Sequence, residues 1–251
     1  MELIKPIIGD TNSLGFNFLT GGSRATFSTG TTVVESTREA IEELKKRAAL
    51  LWEVSLDQVE WVDGHARLIS GNEPKTMSLA QIAKQAGKTG GPIMANCSMN
   101  VTGAGPSLGT HIVDVEVDEE TGQVSIVRYT AIQDAGKAIH PAYVEGQMQG
   151  GAVQGIGWAL NEEYIYNDKG ELENTGFLDY RIPVCSDVPM IDTVIVEVPN
   201  PNHPYGVRGV GETPIIPPLA AISNAVSRAT NKRFDELPLS PPKVLAKLMH
   251  G

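Results

Sequence analysis

The sequence predicts an α+β fold of mixed helices and largely antiparallel sheets, arranged as two subdomains. Several strand pairs are separated only by tight turns, and helices with one apolar face lie between them. The 251 residues are 41% hydrophobic and 20% charged, which is typical of a globular protein with one large core or two smaller ones. A doubly wound parallel sheet is not expected, because hairpins dominate the pattern.

The first part of the chain is predicted to contain two helices and one hairpin. Apolar residues recur at helical spacing over residues 31–51, with charged residues on the opposite face. Residues 56–69 indicate a short turn and then two strands joined at Asp63-Gly64, a strong hairpin signal. Residues 78–81, Ser-Leu-Ala-Gln, predict a capping box for a short helix that ends at Gly87.

A glycine-rich stretch at residues 88–92 predicts a linker between the two subdomains. The first subdomain, residues 1–91, contains a loop at residues 21–26, and the second, residues 92–251, contains most of the strands. Further strands are predicted at residues 111–117, 124–129, 163–166, 170–172 and 193–198. Of these, the first two form one hairpin, and the next two form a smaller one.

Charge and composition exclude several classes of function. A net charge of −10 without a basic cluster argues against a nucleic-acid or acidic-membrane partner. No run of about 18 apolar residues occurs, and the first residues lack a signal-peptide pattern, so we expect a cytoplasmic protein. Cys97 and Cys185 lie far apart and the five histidines are scattered, so no iron–sulfur or zinc site is expected within the chain.

A carboxylate in a glycine-rich loop is the most informative single feature. Residues 206–214 read Gly-Val-Arg-Gly-Val-Gly-Glu-Thr-Pro, and a predicted helix with apolar residues at 219, 222 and 226 follows. Because glycine lacks Cβ, backbone or ligand can approach Glu212 closely. Glu212 is therefore a candidate acid–base residue, although an acid here also suits a helix N-terminus. Arg208 either orients a substrate carbonyl or carboxylate, or pairs with a surface acid.

Two other segments are candidates for binding a polar ligand. Glycines 146, 150, 151, 155 and 157 lie in a predicted helix over residues 141–160, where each costs about 1 kcal/mol relative to alanine. Either close packing offsets this cost, or backbone and the amides of Gln147 and Gln154 face a large polar cofactor. In loop 21–26, the donors of Gly22-Ser23-Arg24 suit an anion, although a serine-rich helix cap is the more common explanation.

Six segments in a fixed order resemble the molybdenum hydroxylases of the xanthine dehydrogenase and aldehyde oxidase family. They are Gly9-Asp10-Thr11, Gly22-Ser23-Arg24, Asp134-Ala135-Gly136, the Gly/Gln helix at 146–157, Asp179-Tyr180-x-Ile182-Pro183 and Gly209-Val210-Gly211-Glu212. Each segment is weak alone, but the shared order covers nearly the whole chain. The chain thus resembles the C-terminal half of the family's molybdopterin-binding subunit.

The resemblance implies a molybdenum–molybdopterin cofactor, and it leaves open whether this is the cytosine dinucleotide form. It implies that Glu212 is the general base in the hydroxylation of an aldehyde or N-heterocycle, with water as the oxygen source. Arg208 becomes the candidate substrate residue. The residues that the resemblance places at the cofactor are Gly22, Ser23, Arg24, Gln147, Gly151, Gln154 and Gly211. No protein ligand to molybdenum is implied, because the cofactor's own sulfurs hold the metal.

The resemblance also implies partners, because the family's molybdenum subunit is longer than this chain. We expect the N-terminal half of that subunit as a separate chain, an iron–sulfur subunit and an FAD-containing flavin subunit, with activity only in the assembled complex. The chain is then either half of a naturally split subunit, which Met1 slightly favours, or a fragment. The alternative function is a non-catalytic scaffold or assembly subunit that shares the fold.

Overall fold

The computed structural model describes residues 4–12, 15–69, 75–103 and 105–250; Met1 lies outside these ranges. The helices are α1 (Ala25–Trp52), α2 (Leu79–Lys84), α3 (Ala86–Thr89), α4 (Pro141–Leu160), α5 (Pro217–Thr230) and α6 (Pro241–His250). The strands are β1 (Val59–Val62), β2 (His65–Leu68), β3 (Thr76–Ser78), β4 (Gly109–Val117), β5 (Val124–Asp134) and β6 (Ile191–Val196). None of the helices within the described ranges has the length and apolar character needed to cross a membrane.

The first compact unit comprises Met1–Leu19 and Ser28–Thr102. Its sheet, in the order β1-β2-β3, is antiparallel. The turn between β1 and β2 uses left-handed Asp63 and Gly64, as the sequence predicts. Ser78 and Gln81 form the predicted capping box at the start of α2. The core of this unit consists of Leu44, Ala48, Ala49, Val59, Ala66 and Ile82.

The second compact unit comprises Thr20–Phe27 and Gly103–Gly251. Its sheet has the order β4-β5-β6, in which β4 is antiparallel to β5 and β6 is parallel to it. Helix α4 contacts β5 and β6, and α5 packs against β4 and α4. The α+β class with largely antiparallel sheets is thus confirmed. The most buried large side chains of this core include Tyr129, Met148, Ile156, Ile222, Val226 and Val244.

The structure divides the chain differently from the predicted boundary between residues 91 and 92. Loop 21–26 groups with the second unit, and the other division falls after Thr102. Ser23 hydrogen-bonds to Glu212, and Phe27 packs on His203 with ring centroids 5.3 Å apart. Contacts between residues far apart in sequence therefore decide the division, and the glycine content of residues 88–92 does not reveal them.

Two predicted elements differ in extent from those in the structure. Helix α1 begins at Ala25, before the predicted residue 31. The prediction began too late because the first turns of the helix carry Thr, Ser and Gly, which are weak helix formers. Residues 163–172 form only an isolated bridge between Tyr166 and Leu172. There the buried Asn174 accepts from Ile165 N and donates to Glu163 O, and such side-chain bonds compete with a regular strand ladder.

Candidate functional site

The loop at residues 206–212 has no regular secondary structure, and backbone hydrogen bonds hold its first part. Arg208 N donates to Ala135 O at 3.0 Å, and Gly209 N donates to Gly105 O at 2.9 Å. These bonds tie the loop to the end of β5 and to the segment before β4. The backbone is therefore fixed at residues 208 and 209, which precede Glu212 in the loop.

A buried histidine fixes the entrance to this loop. His203 Nδ1 accepts hydrogen bonds from Tyr205 N at 3.1 Å and from Val207 N at 3.4 Å. Burial lowers the pKa of His203, because the charged ring would lose its hydration. The ring is therefore held in the neutral form, which is the form that can accept these bonds.

Ser23 binds both the backbone and the carboxylate of Glu212. Glu212 N donates to Ser23 Oγ at 2.8 Å, and the Ser23 hydroxyl donates to Glu212 Oε2 at 3.4 Å. Glu212 precedes the 3₁₀ turn Thr213–Ile215, but its side chain makes no capping hydrogen bond there. The exposed carboxylate is accessible to a ligand.

Close approach between two loops explains one glycine of the Gly-Val-Gly-Glu motif. A Cβ added at Gly209 would lie 2.9 Å from Ser23 Cβ and 3.0 Å from Ser23 O. Ser23 itself adopts the left-handed conformation (φ 55°), as does Gly22 (φ 68°). The side-chain-poor backbone of Gly209 therefore allows Ser23 to reach Glu212.

The Gly/Gln helix, α4, forms a side-chain hydrogen bond to this loop. Gln147 Nε2 donates to Gly211 O at 2.8 Å, so two of the predicted cofactor residues bind each other. Gln154 is exposed and lies two turns further along α4, near the same side of the helix as Gln147. Its carboxamide is thus accessible to a ligand.

The glycines of α4 divide into packed and open positions. An added Cβ would lie 2.9 Å from Pro214 at Gly151 and 2.6 Å from Pro218 at Gly155. At Gly150, by contrast, no described atom lies within 4 Å of an added Cβ. Close packing against the segment that follows Glu212 therefore explains Gly151 and Gly155, one of the two interpretations left open by the sequence.

A cleft of about 350 Å³ opens beside Glu212. Its lining includes Gly22, Ser23 and Arg24 together with Glu212 and small residues of the 103–107 segment. The predicted residues Gln147, Gly151, Gln154, Arg208 and Gly211 are not among the lining residues. No group of three His, Cys, Asp or Glu that could hold a metal ion occurs in the described part of the chain.

Arg208 pairs with an acid, and that acid is the largely buried Asp134 rather than the surface acid that the sequence suggests. Its Nε lies 3.1 Å from Asp134 Oδ2, and both side chains are largely buried, at 17% and 14% exposure. Arg208 also donates to Val198 O and to Pro106 O, both at 2.8 Å. Asp134 in turn accepts from Val198 N at 3.0 Å. Arg208 thus joins the loop to β5 and to the segment after β6.

Arg208→Lys is expected to lower the free energy of unfolding by about 1–3 kcal/mol, because lysine cannot bind three separate acceptors in this fixed geometry. Arg128→Lys is the matched control, since the Arg128–Asp114 pair has exposures of 66% and 53% and should contribute little. Urea unfolding of both variants measures the difference. Equal stability of the two variants would show that the Arg208 contacts do not hold the loop.

Gln133 and Ser107 are two residues of the site that the sequence patterns do not single out. Gln133 is 1% exposed, and its Nε2 lies 3.2 Å from Ser107 Oγ. Ser107 Oγ donates to Asp134 O at 2.6 Å. One signal was available: a glutamine follows Tyr129 and Ala131 at alternating positions of a strand whose buried side is otherwise apolar.

A family model described as a molybdopterin cofactor-binding domain matches residues 1–189. The chain is 37% identical over 207 residues to a putative xanthine dehydrogenase molybdenum-binding subunit of Escherichia coli K12, covering 81% of this chain and 28% of the relative. It is 33% identical over 255 residues to the nicotine 6-hydroxylase large subunit of Paenarthrobacter nicotinovorans, covering 97% and 31% respectively.

Solved structures agree with these sequence relationships. A Cu,Mo-CO dehydrogenase in its carbon monoxide-reduced state matches with a TM-score of 0.83 and 25% identity, covering 94% of this chain and 31% of that one. Quinoline 2-oxidoreductase from Pseudomonas putida 86 matches with a TM-score of 0.83 and 28% identity, covering 95% and 32%. The chain thus spans less than a third of the length of each of these four proteins.

Proposed function

This chain belongs to the molybdopterin cofactor-binding domain family of the molybdenum hydroxylases, and on that premise we propose that Glu212 is the general base of such an enzyme. The observation that carries the proposal is the accessible Glu212 carboxylate, held by Ser23 beside a cleft. The proposed reaction is hydroxylation of an aldehyde or N-heterocycle with water as the oxygen source.

Glu212 is suited to proton transfer by its surroundings. Its backbone is anchored at Ser23 Oγ, so the carboxylate projects from a fixed point toward the cleft that it lines. Its other polar contact, the Ser23 hydroxyl at 3.4 Å, is long and leaves acceptor positions for a proton donor. A base positioned in this way contributes about 10²–10⁴-fold to a rate.

The cleft has donors that fit a polar, phosphate-bearing cofactor of the molybdopterin type. Arg24 offers a cation, and Ser23 offers a hydroxyl whose bond to Glu212 Oε2 is long at 3.4 Å. An added Cβ at Gly22 meets no described atom within 4 Å, so ligand atoms can approach the backbone there. When bound, the cofactor would supply the metal and the redox chemistry. The chain supplies binding, orientation and the proton acceptor.

The other predicted cofactor residues have different proposed roles. Gln154 presents its exposed amide to the cofactor, whereas Gln147 acts through Gly211, whose carbonyl it binds. Gly151 acts through packing against Pro214, which fixes the distance between α4 and the Glu212 loop. The proposed cofactor is molybdenum–molybdopterin, and the resemblance admits its cytosine dinucleotide form.

We further propose that the chain works in the cytoplasm as part of a complex. Its partners would be the N-terminal half of the molybdenum subunit, an iron–sulfur subunit and an FAD-containing subunit. Two relatives are named as large chain or large subunit, those of carbon monoxide dehydrogenase and nicotine 6-hydroxylase, which supports an assembly of several chains. Without the partner half, the isolated chain should not oxidise substrate.

Molybdenum and pterin analysis of the complex purified with its natural partners tests the proposal. We expect about one molybdenum and one pterin for each copy of this chain, and oxidation of an aldehyde or N-heterocycle. A complex that holds neither group and oxidises no substrate would contradict the proposal and would favour the non-catalytic scaffold.

Gln154→Ala is expected to reduce bound molybdenum or turnover while changing the free energy of unfolding by less than about 1 kcal/mol. The physical reason is that Gln154 is exposed, so its amide is available to the cofactor and contributes little to packing. Glu145→Ala, an exposed position on the opposite side of α4, is the control. Full metal content and activity with a lowered melting temperature would mean that α4 is only a packing helix.

A further inference from the structure

Two of the peptide groups that precede Glu212 contact one buried side chain, Gln133. It lies near the end of β5, the central strand of its sheet, where it pairs with Gly109 on β4 and Ile195 on β6. Its backbone is therefore held from both sides, and its side chain is 1% exposed. A carboxamide in such a place has little freedom to move.

The Gln133 carboxamide points at two consecutive carbonyls of the loop. Its Nε2 lies 3.3 Å from Gly209 O and 3.4 Å from Val210 O. These carbonyls belong to an irregular segment without strand or helix bonds, where a buried carbonyl without a donor is costly. Since a peptide group is planar, fixing a carbonyl also fixes the next N–H.

The remaining peptide groups up to Glu212 have other anchors. Gly211 O accepts from Gln147 Nε2 at 2.8 Å, and Glu212 N donates to Ser23 Oγ at 2.8 Å. Gln133 donates to the two carbonyls that precede these anchors, those of Gly209 and Val210. Ser107 supports it, because Ser107 Oγ accepts from Gln133 Nε2 and donates to Asp134 O.

We propose that Gln133 is a positioning residue, which orients the Glu212 carboxylate by holding the Gly209 and Val210 carbonyls against the central strand. The proposal rests on the proposed function of Glu212 as the base. A valine or isoleucine would be the ordinary choice on this buried side of β5. The glutamine instead shares its two N–H hydrogens among the two loop carbonyls and Ser107 Oγ.

Hydrogen exchange in the assembled complex tests the structural half of this proposal without using activity. In Gln133→Leu, the amides of Gly209 and Glu212, which donate to Gly105 O and Ser23 Oγ, should exchange about tenfold faster, because these two bonds flank the carbonyls that Gln133 holds. Gln149→Leu is the matched control, because Gln149 Nε2 donates to a different backbone carbonyl, Ile191 O, at 3.1 Å. The control should leave exchange at residues 206–214 unchanged.

Kinetics of the same variants test the catalytic half. Gln133→Leu should lower kcat about tenfold and change KM by less than about threefold, because the base is misplaced while binding remains. Gln133→Glu keeps the shape of the side chain and covers the case in which the leucine variant does not fold. Its kcat relative to wild type should rise as the pH falls, since only the protonated carboxyl can donate to the carbonyls.

Unchanged exchange at residues 206–214 in both Gln133 variants would overturn the proposal. Faster exchange with normal kcat, and no pH-dependent recovery in Gln133→Glu, would overturn it too, because Gln133 would then be merely structural. If Glu212→Gln retains normal turnover while exchange is faster in Gln133→Leu, the proposed function fails but the anchoring of the loop stands. The two failures are thus distinguishable.

Discussion

Glu212→Gln is expected to lower turnover at least about a hundredfold while leaving bound molybdenum unchanged, the effect of losing a general base. The substitution keeps the size of the side chain, and the backbone N–H still donates to Ser23 Oγ. The Ser23 hydroxyl can still donate to the remaining amide oxygen. What is lost is the ability of the side chain to accept a proton at working pH.

The control for this experiment is Glu119→Gln, an exposed glutamate in the turn between β4 and β5. It removes the same charge outside the cleft, so turnover should stay within about twofold of wild type. Steady-state rates divided by molybdenum content give the comparison. Near-normal turnover of the Glu212 variant would remove this residue from the mechanism.

Gly151→Val is expected to destabilise the second unit by about 3 kcal/mol or to prevent its folding. A Cβ at this position would lie 2.9 Å from two carbons of Pro214 and 3.3 Å from Ile215 N. Neither a proline ring nor backbone can move away easily. Because Pro214 lies just after Glu212, the change should also displace the base and lower activity.

The neighbouring glycine gives a matched comparison on the same helix. An added Cβ at Gly150 meets no described atom within 4 Å, so Gly150→Val should change stability by less than about 1 kcal/mol. Melting curves and molybdenum content of the two variants measure the contrast. Equal melting temperatures would show that α4 does not pack tightly on the segment after Glu212.

The sequence predicts the elements whose signals are local. The β1–β2 hairpin follows from Asp63-Gly64, and the capping box at Ser78 follows from side chains three residues apart. The β4–β5 hairpin follows from alternation of apolar residues. Each depends on neighbours in the chain, which is why the pattern alone reveals them.

The details of the site depend on long-range contacts and were only partly predictable. The motif segments singled out Glu212 and Ser23, but not the hydrogen bond between them. The sequence leaves two roles open for Arg208 and does not reveal that Asp134 lies 3.1 Å from it. The sequence does not show the role of Gln133, because its partners include two loop carbonyls. Every residue type has a backbone carbonyl, so the sequence of the loop does not reveal this contact.

The rate at which substrate reduces the enzyme in a single turnover tests the central claim most directly. This measurement, made anaerobically by stopped flow on Glu212→Gln and wild-type complexes with equal molybdenum content, excludes later electron transfer and product release. The account predicts that reduction is at least about a hundredfold slower in the variant, with little change in substrate affinity. Equal rates of reduction would contradict it.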